Sequence, residues 1–296
     1  MNPRGKNKEL TAYYKERKRL VDQHLASIFK ASKKTSTQKL DAALTHTLLL
    51  SGKRIRPILA IATYELFGND INEIIGPACA IELIHTGSLM LDDLPSMDNA
   101  TYRRGKKTNH VLFGESTTIL ASAGLWVKAF DYLAVINHVK INNLVHETAR
   151  FIGDQGLILG QYLDLFMLQK MTTIQELEYS YELKTSALFR LAVRYGSYLG
   201  KASAEDSELL DAYARHLGIA FQIRDDIIDA TQTLVESGKD AQKDVVNHKA
   251  NYVSLVGLDG AKTEYSLHLT LAKQKLEMVN ANTSLLADIM DSLEKL

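Results

Sequence analysis

Five aspartates fall into two groups, Asp92, Asp93 and Asp98 in "LMLDDLPSMD" and Asp225 and Asp229 in "FQIRDDIID". Carboxylates gathered in one place repel one another unless a cation lies among them. A hard divalent ion is the natural counter-ion for an all-oxygen set, and Mg²⁺ in particular pairs a few carboxylates with substrate phosphates. On a helix, Asp225 and Asp229 stand about 40° apart on one face, with Gln222 a turn before Asp225. The bland alternative is a solvated acidic face with Arg224 as its partner. In the first group the seven-residue spacing puts His85 below Asp92, with Ser88 between them on the same stripe. Pro95 then bends or ends the helix and lets Asp98 turn back beside Asp92.

Cations accompany both groups. "GKRIRP" places Lys53, Arg54 and Arg56 around the first residues of a helix, where backbone N–H groups and guanidinium forks suit an anion. "YRRGKKTNH" adds Arg103 and Arg104, and Lys184, Lys239 and Lys249 add point charges near the second acidic helix. A lone lysine is usually surface solvation. Two acidic and two arginine clusters together point instead to a divalent cation holding a phosphorylated substrate.

Composition narrows the class. Lys plus Arg equals Asp plus Glu at 35 each, so the overall basic field used in nonspecific nucleic-acid binding is missing. The single Cys79, in an apolar run, excludes an intrachain disulfide and reads as core packing in a reducing compartment. The apolar runs are shorter than a membrane span requires, and the basic N-terminus lacks the apolar core of a signal peptide. A soluble, cytoplasmic protein is expected.

The elements that must hold these residues are helices. All four prolines lie at or before residue 95, and beyond it apolar residues recur at helical spacing between short polar joints. The pattern predicts helices over 8–31, 36–50, 57–67, 71–94, 116–137, 141–169, 173–199, 205–235, 261–280 and 283–295. Hairpin signals are essentially absent. With no Pro/Gly/Ser linker and no repeat, a single all-α domain over 1–296 follows, a large helical bundle around a deep central pocket with residues 1–35 as an N-terminal helix.

The words "GKRIRP", "IHTGSLMLDDLPSMD", "RRGKKTNH", "GQYLDL", "KTSALF" and "FQIRDDIID", in this order, resemble the trans-polyprenyl diphosphate synthase family from about residue 40 onward. The resemblance implies a homodimeric isoprenoid-synthase fold with the two Asp-rich motifs facing each other across the pocket. By matching position, Asp92, Asp93, Asp98, Asp225 and Asp229 would hold a trio of Mg²⁺ ions on an allylic diphosphate. Arg103, Lys184, Thr185, Gln222, Lys239 and Lys249 would clamp that substrate. Gly52, Lys53, Arg56, His85 and Arg104 would hold isopentenyl diphosphate. Lys184, Thr185 and Gln222 are also the expected catalytic dipoles beside an allylic cation, which needs a dry pocket without nucleophiles.

The resemblance further assigns product length to the positions four and five before Asp92, here Ser88 and Gly87. Both are small, so a deep floor and a geranylgeranyl product are expected, with farnesyl diphosphate as the alternative. A class I terpene cyclase is disfavoured by "DDIID", and a silent regulatory subunit by the presence of both motifs. Three residues depart from the family pattern. They are Trp126 in "ASAGLW", read as core or as a specificity element, Gln242 in the lysine loop, and Asn251 where Thr often stands.

Overall fold

Helices form where the apolar spacing predicts them, and most of their breaks fall at glycines. In this computed structural model, residues 3–29, 37–134, 136, 141–231 and 250–293 are described. The helices are α1 (Pro3–Ile28), α2 (Gln38–Leu49), α3 (Ile55–Tyr64), α4 (Ile71–Asp92), α5 (Asn109–Phe113), α6 (Glu115–Ala134), α7 (Ile141–Ile152) and α8 (Leu157–Phe166). They continue with α9 (Ile174–Tyr181), α10 (Ala187–Leu199), α11 (Ala204–Thr231), α12 (Tyr252–Met278) and α13 (Ser284–Leu293). The all-α expectation holds, with one small exception. Tyr102–Arg103 pairs antiparallel with Lys106–Lys107 through a two-residue turn, Arg104-Gly105, in which both φ angles are positive. Glycine tolerates that geometry; Arg104, at φ 52°, is held there against its preference.

α4 is the central post. Its buried residues occupy every side of the helix, and it packs against α1, α2, α3, α6 and α10. It is the one helix among the described residues long and apolar enough to cross a membrane, but 67% of its apolar window is buried inside the protein, as befits a core helix. The main core draws on α3, α4, α6, α10 and α11, and a smaller cluster around Tyr181, Ile219, Ile223 and Tyr252 seats the start of α12.

Four departures from the predicted elements have local causes. The single helix expected over 141–169 breaks at Gly153–Gly156, where a Cβ on Gly156 would lie 2.1 Å from the Phe151 carbonyl oxygen. The helix expected over 173–199 carries a π turn, Glu182–Ser186, between α9 and α10. Close approach fixes that turn: a Cβ on Gly160 of α8 would lie 2.4 Å from Lys184 N, and one on Gly218 of α11 would lie 2.4 Å from Ser186 Oγ. The short α5 had no signal of its own.

The fourth departure concerns α12, which starts at Tyr252 rather than 261 and kinks at Gly257 (φ 74°). Asn251 closes a capping box in which its side chain accepts from Ser254 N at 2.8 Å and Ser254 Oγ accepts from Asn251 N at 2.9 Å. Asn and Thr are both good N-caps, so this departure from the family pattern preserves the local structure. Asn251→Thr is expected to be near neutral in urea denaturation, and Asn251→Ala to cost about 1 kcal/mol.

Candidate active site

The C-terminal end of α4 delivers the first acidic group. After Pro95 the chain folds back so that Asp98 N donates to the Asp92 carbonyl at 2.9 Å, as the proline predicts. Burial pushes the Asp92 carboxyl up to about 6; Lys184 opposes this and Asp98 adds to it. Burial likewise disfavours the Lys184 ammonium, but Asp164, then Asp92 and Asp98, hold its pKa above the usual lysine value. Lys184 Nζ lies 2.9 Å from Asp164 Oδ2. Three carboxylates therefore share one ammonium at the π turn. Such an oxygen-rich, net-negative group fits a hard divalent cation.

Asp93 does something else. It is buried, and Arg103 grips it with Nε at 2.9 Å from both carboxylate oxygens and Nη2 at 2.7 Å from Oδ1. Both carboxylate oxygens of Asp93 are thus engaged by Arg103, which favours a positioning role over the metal-ligand role expected from the sequence. Asp93 positions Arg103, whose Nε and Nη2 are thereby committed to it.

The second acidic group repeats this division of labour on α11. Asp226 is buried, accepts from Tyr181 Oη at 2.6 Å and from Tyr252 N at 3.0 Å, and so ties α9 and α12 to α11. Its neighbour Asp225 is half-buried and meets Arg224 at 3.1 Å, with Asp229 one turn on along the same helix. In each Asp-Asp pair the second member is a structural bolt. Thr185 Oγ1 donates to Gln222 Oε1 at 2.8 Å, which joins the π turn to the helix that carries Asp225.

Beside the acids lies a group with the opposite balance. Arg56 Nη1 is 3.3 Å from His85 Nε2, and its guanidinium carbon is 4.8 Å from the centre of the Phe189 ring. Its Nε is buried without a hydrogen-bond partner. Burial pulls the Arg56 guanidinium down to about 10, with Glu82 working against this and Arg104 adding to it. Burial and the nearby Arg56 and Arg104 keep His85 neutral, well below the usual histidine value. A Cβ on Gly52 would lie 2.6 Å from Arg104 Nη1, so the glycine lets that guanidinium lie flat on the backbone. Crowded, under-partnered cations are a built receptor for an anion. Lys53 is exposed and its carbonyl accepts from Tyr14 Oη.

A family model described as Polyprenyl synthetase matches residues 37–290. The chain belongs to this family. It is 40% identical over 258 residues to the farnesyl diphosphate synthase of Geobacillus stearothermophilus, covering 86% of this chain and 87% of that one. It is 41% identical over 231 residues to a chloroplastic geranylgeranyl pyrophosphate synthase of Arabidopsis thaliana, covering 75% and 64%. The fold superposes on a Helicobacter pylori geranyltransferase solved with magnesium and isoprenyl diphosphate, with a TM-score of 0.84, 29% identity and coverage of 100% and 97%. The chain is a short-chain prenyltransferase, and enzymes of this family depend on Mg²⁺.

In this polyprenyl synthetase the structure adds two residues that the sequence reading left unassigned. Asp164 completes the acidic group, and Gln161, one turn before it on α8, has a buried Nε2 without a partner. The signal was present in "GQYLDL", where the two polar residues share a helix face. Lys239, Lys249 and Gln242 lie outside the described residues. Ser88 is half-buried and its hydroxyl donates to the His85 carbonyl at 2.9 Å.

Proposed function

We propose that the enzyme condenses isopentenyl diphosphate with an allylic diphosphate and carries elongation to geranylgeranyl diphosphate. The observation that carries the two-substrate reading is the separation of charge. Asp92, Asp98, Asp164 and Lys184 form a group suited to a cation-bound diphosphate, while Arg56, Arg104 and neutral His85 form one suited to a diphosphate without metal.

Asp92, Asp98, Asp225 and Asp229 would hold Mg²⁺, whose chemistry is to stabilise the charge that collects on the departing diphosphate. Lys184 and the remaining Nη1 of Arg103 would bind the same oxygens, with Lys239 and Lys249 as further expected clamps. Thr185 and Gln222, whose side chains are joined by a hydrogen bond, would present hydroxyl and amide dipoles to the allylic end. Arg56, Arg104, His85 and Gly52, with Lys53 at the rim, would orient isopentenyl diphosphate so that its double bond attacks. The departing pyrophosphate takes the proton lost, so no protein base is needed.

The small, half-buried Ser88, four residues before Asp92, supports the twenty-carbon product. A farnesyl product is the second reading, favoured by the match to the Geobacillus enzyme along most of both chains. Mass spectrometry of the product made from isopentenyl diphosphate with dimethylallyl, geranyl or farnesyl diphosphate tests both. Turnover of farnesyl diphosphate to a twenty-carbon product supports the first reading, and arrest at farnesyl diphosphate overturns it. Arg56→Met is expected to raise KM for isopentenyl diphosphate about 10–100-fold, from the loss of charge-assisted hydrogen bonds, and to leave KM for the allylic substrate nearly unchanged.

A single domain over 1–296, a homodimer and a cytoplasmic location complete the proposal. Exposed Ile119, Leu120 and Val127 on α6, next to Val111 and Leu112 on α5, form an apolar face that supports the homodimer.

A further inference from the structure

Gly87 and Trp126 are far apart in sequence and touch in the fold. A Cβ built on Gly87 would lie 2.5 Å from Trp126 Nε1 and 2.6 Å from its Cδ1, well inside van der Waals contact. The indole is locked in that place. Trp126 Nε1 donates to the Ile84 carbonyl at 3.0 Å, and Ser122, one turn earlier on α6, donates through Oγ to the Gly87 carbonyl at 2.8 Å. A side chain at position 87 and the indole of Trp126 therefore compete for one volume. Small size at 87 leaves no hole there; it admits a ring from the neighbouring helix.

Gly87 lies five residues before Asp92, about 7.5 Å back along α4 from the acidic end. On the elongation reading, a hydrocarbon chain growing away from a diphosphate held at Asp92 would run back along α4 past Ser88 toward this level. The indole is half-buried, so part of it borders open space. We propose that Trp126 is a specificity-determining residue, the bulk against which the growing isoprenoid tail stops. The inference rests on the chain-elongation reading above and holds for either product.

Two consequences follow. Trp126→Ala, by removing the ring, lengthens the product by at least one isoprene unit, whether the wild-type enzyme stops at fifteen or twenty carbons. Gly87→Tyr in the wild-type background meets the indole and lowers the melting temperature, whereas in the Trp126→Ala background it refills the volume and restores the shorter product.

The test is product analysis by mass spectrometry for the wild type, Trp126→Ala, Trp126→Leu and the Trp126→Ala/Gly87→Tyr double variant, with melting curves for each. Trp126→Leu serves as the deciding variant if the alanine form does not fold. Unchanged product length in a folded, active Trp126 variant overturns the inference and leaves the wild-type product assignment standing. A longer variant product supports it, even where the wild type proves to make farnesyl diphosphate. Trp126 is the only tryptophan in the chain, so its fluorescence gives a readout independent of turnover. Farnesyl diphosphate added without isopentenyl diphosphate should change the emission more than dimethylallyl diphosphate does. Equal responses would mean that the longer tail does not reach the ring, which overturns the proposal.

Discussion

Replacing Asp92 with asparagine is expected to lower kcat about a thousandfold while leaving the melting temperature unchanged or slightly raised. The two halves of this result have one cause. Burial lifts the Asp92 carboxyl to about 6, so its charged form is disfavoured by folding. A carboxyl raised in this way costs stability as pH climbs from about 4, its unfolded value, to about 6 in the fold, and at neutral pH the full cost is present. Asparagine removes the charge and the cost with it. The same charge is what a cation on the diphosphate needs, and an amide cannot supply it. Steady-state kinetics with a Mg²⁺ titration, beside thermal melts, would show both effects. A kcat loss below tenfold would remove Asp92 from the proposed ligand set. Asp93→Asn provides the contrast: burial raises the Asp93 carboxyl as well, so the melting temperature does not separate the two, but the amide loosens Arg103 and the defect should appear as a raised KM for the allylic substrate.

The acidic groups were legible in the sequence because their geometry is local. Residues three, four and seven apart on a helix share a face whatever the fold does, and Pro95 announces the turn that brings Asp98 back to Asp92. The difference between Asp92 and Asp93 is not local. Two adjacent identical residues point about 100° apart, and only the position of Arg103, across the hairpin, decides which of them is consumed. The same holds for Asp225 and Asp226, whose roles are divided by Tyr181 and by the first peptide of α12. The π turn at Lys184 has no sequence signature of its own. It is set by Gly160 and Gly218 from two other helices, and each glycine alone reads as an ordinary helix residue. Gly87 and Trp126 were both visible as unusual, one as a missing ring and the other as an added one. That they are one feature is a contact between α4 and α6, and helical periodicity does not encode contacts between helices. The N-terminal part of α12 was missed for a simpler reason: Gly257 and Gly260 read as a loop, while the fold uses the first as a kink.

Arg54→Ala is expected to destabilise the protein by about 3–5 kcal/mol, the range for breaking a buried ion pair by removing one partner. By sequence Arg54 is the middle cation of "GKRIRP" and looks like a third phosphate ligand. In the fold its side chain is 2% exposed and fully engaged: Nη1 meets Glu82 at 2.6 Å, Nε meets Asp22 at 2.8 Å, and Nη2 donates to the Leu48 and Leu50 carbonyls at 2.7 and 3.1 Å. It joins α1, the end of α2 and α4, and it does so from a left-handed backbone, φ 52°, at the N-cap of α3. Truncation would strand Glu82, itself 2% exposed, as an uncompensated charge beside Ile81 and Leu83 in the core. Urea denaturation measures the loss, and a value below about 1 kcal/mol would show that water or a neighbouring cation replaces the guanidinium. Arg54→Met with Glu82→Leu should recover most of it, since an apolar pair of similar volume needs no charge balance. The recovered double variant then separates stability from function. Arg56 follows two residues later on the same segment, so if the left-handed turn at residue 54 is what aims Arg56 at His85, KM for isopentenyl diphosphate should rise in the double variant although the protein is stable. If KM stays at the wild-type value, α3 alone positions Arg56, and Arg54 serves only to hold the three helices together.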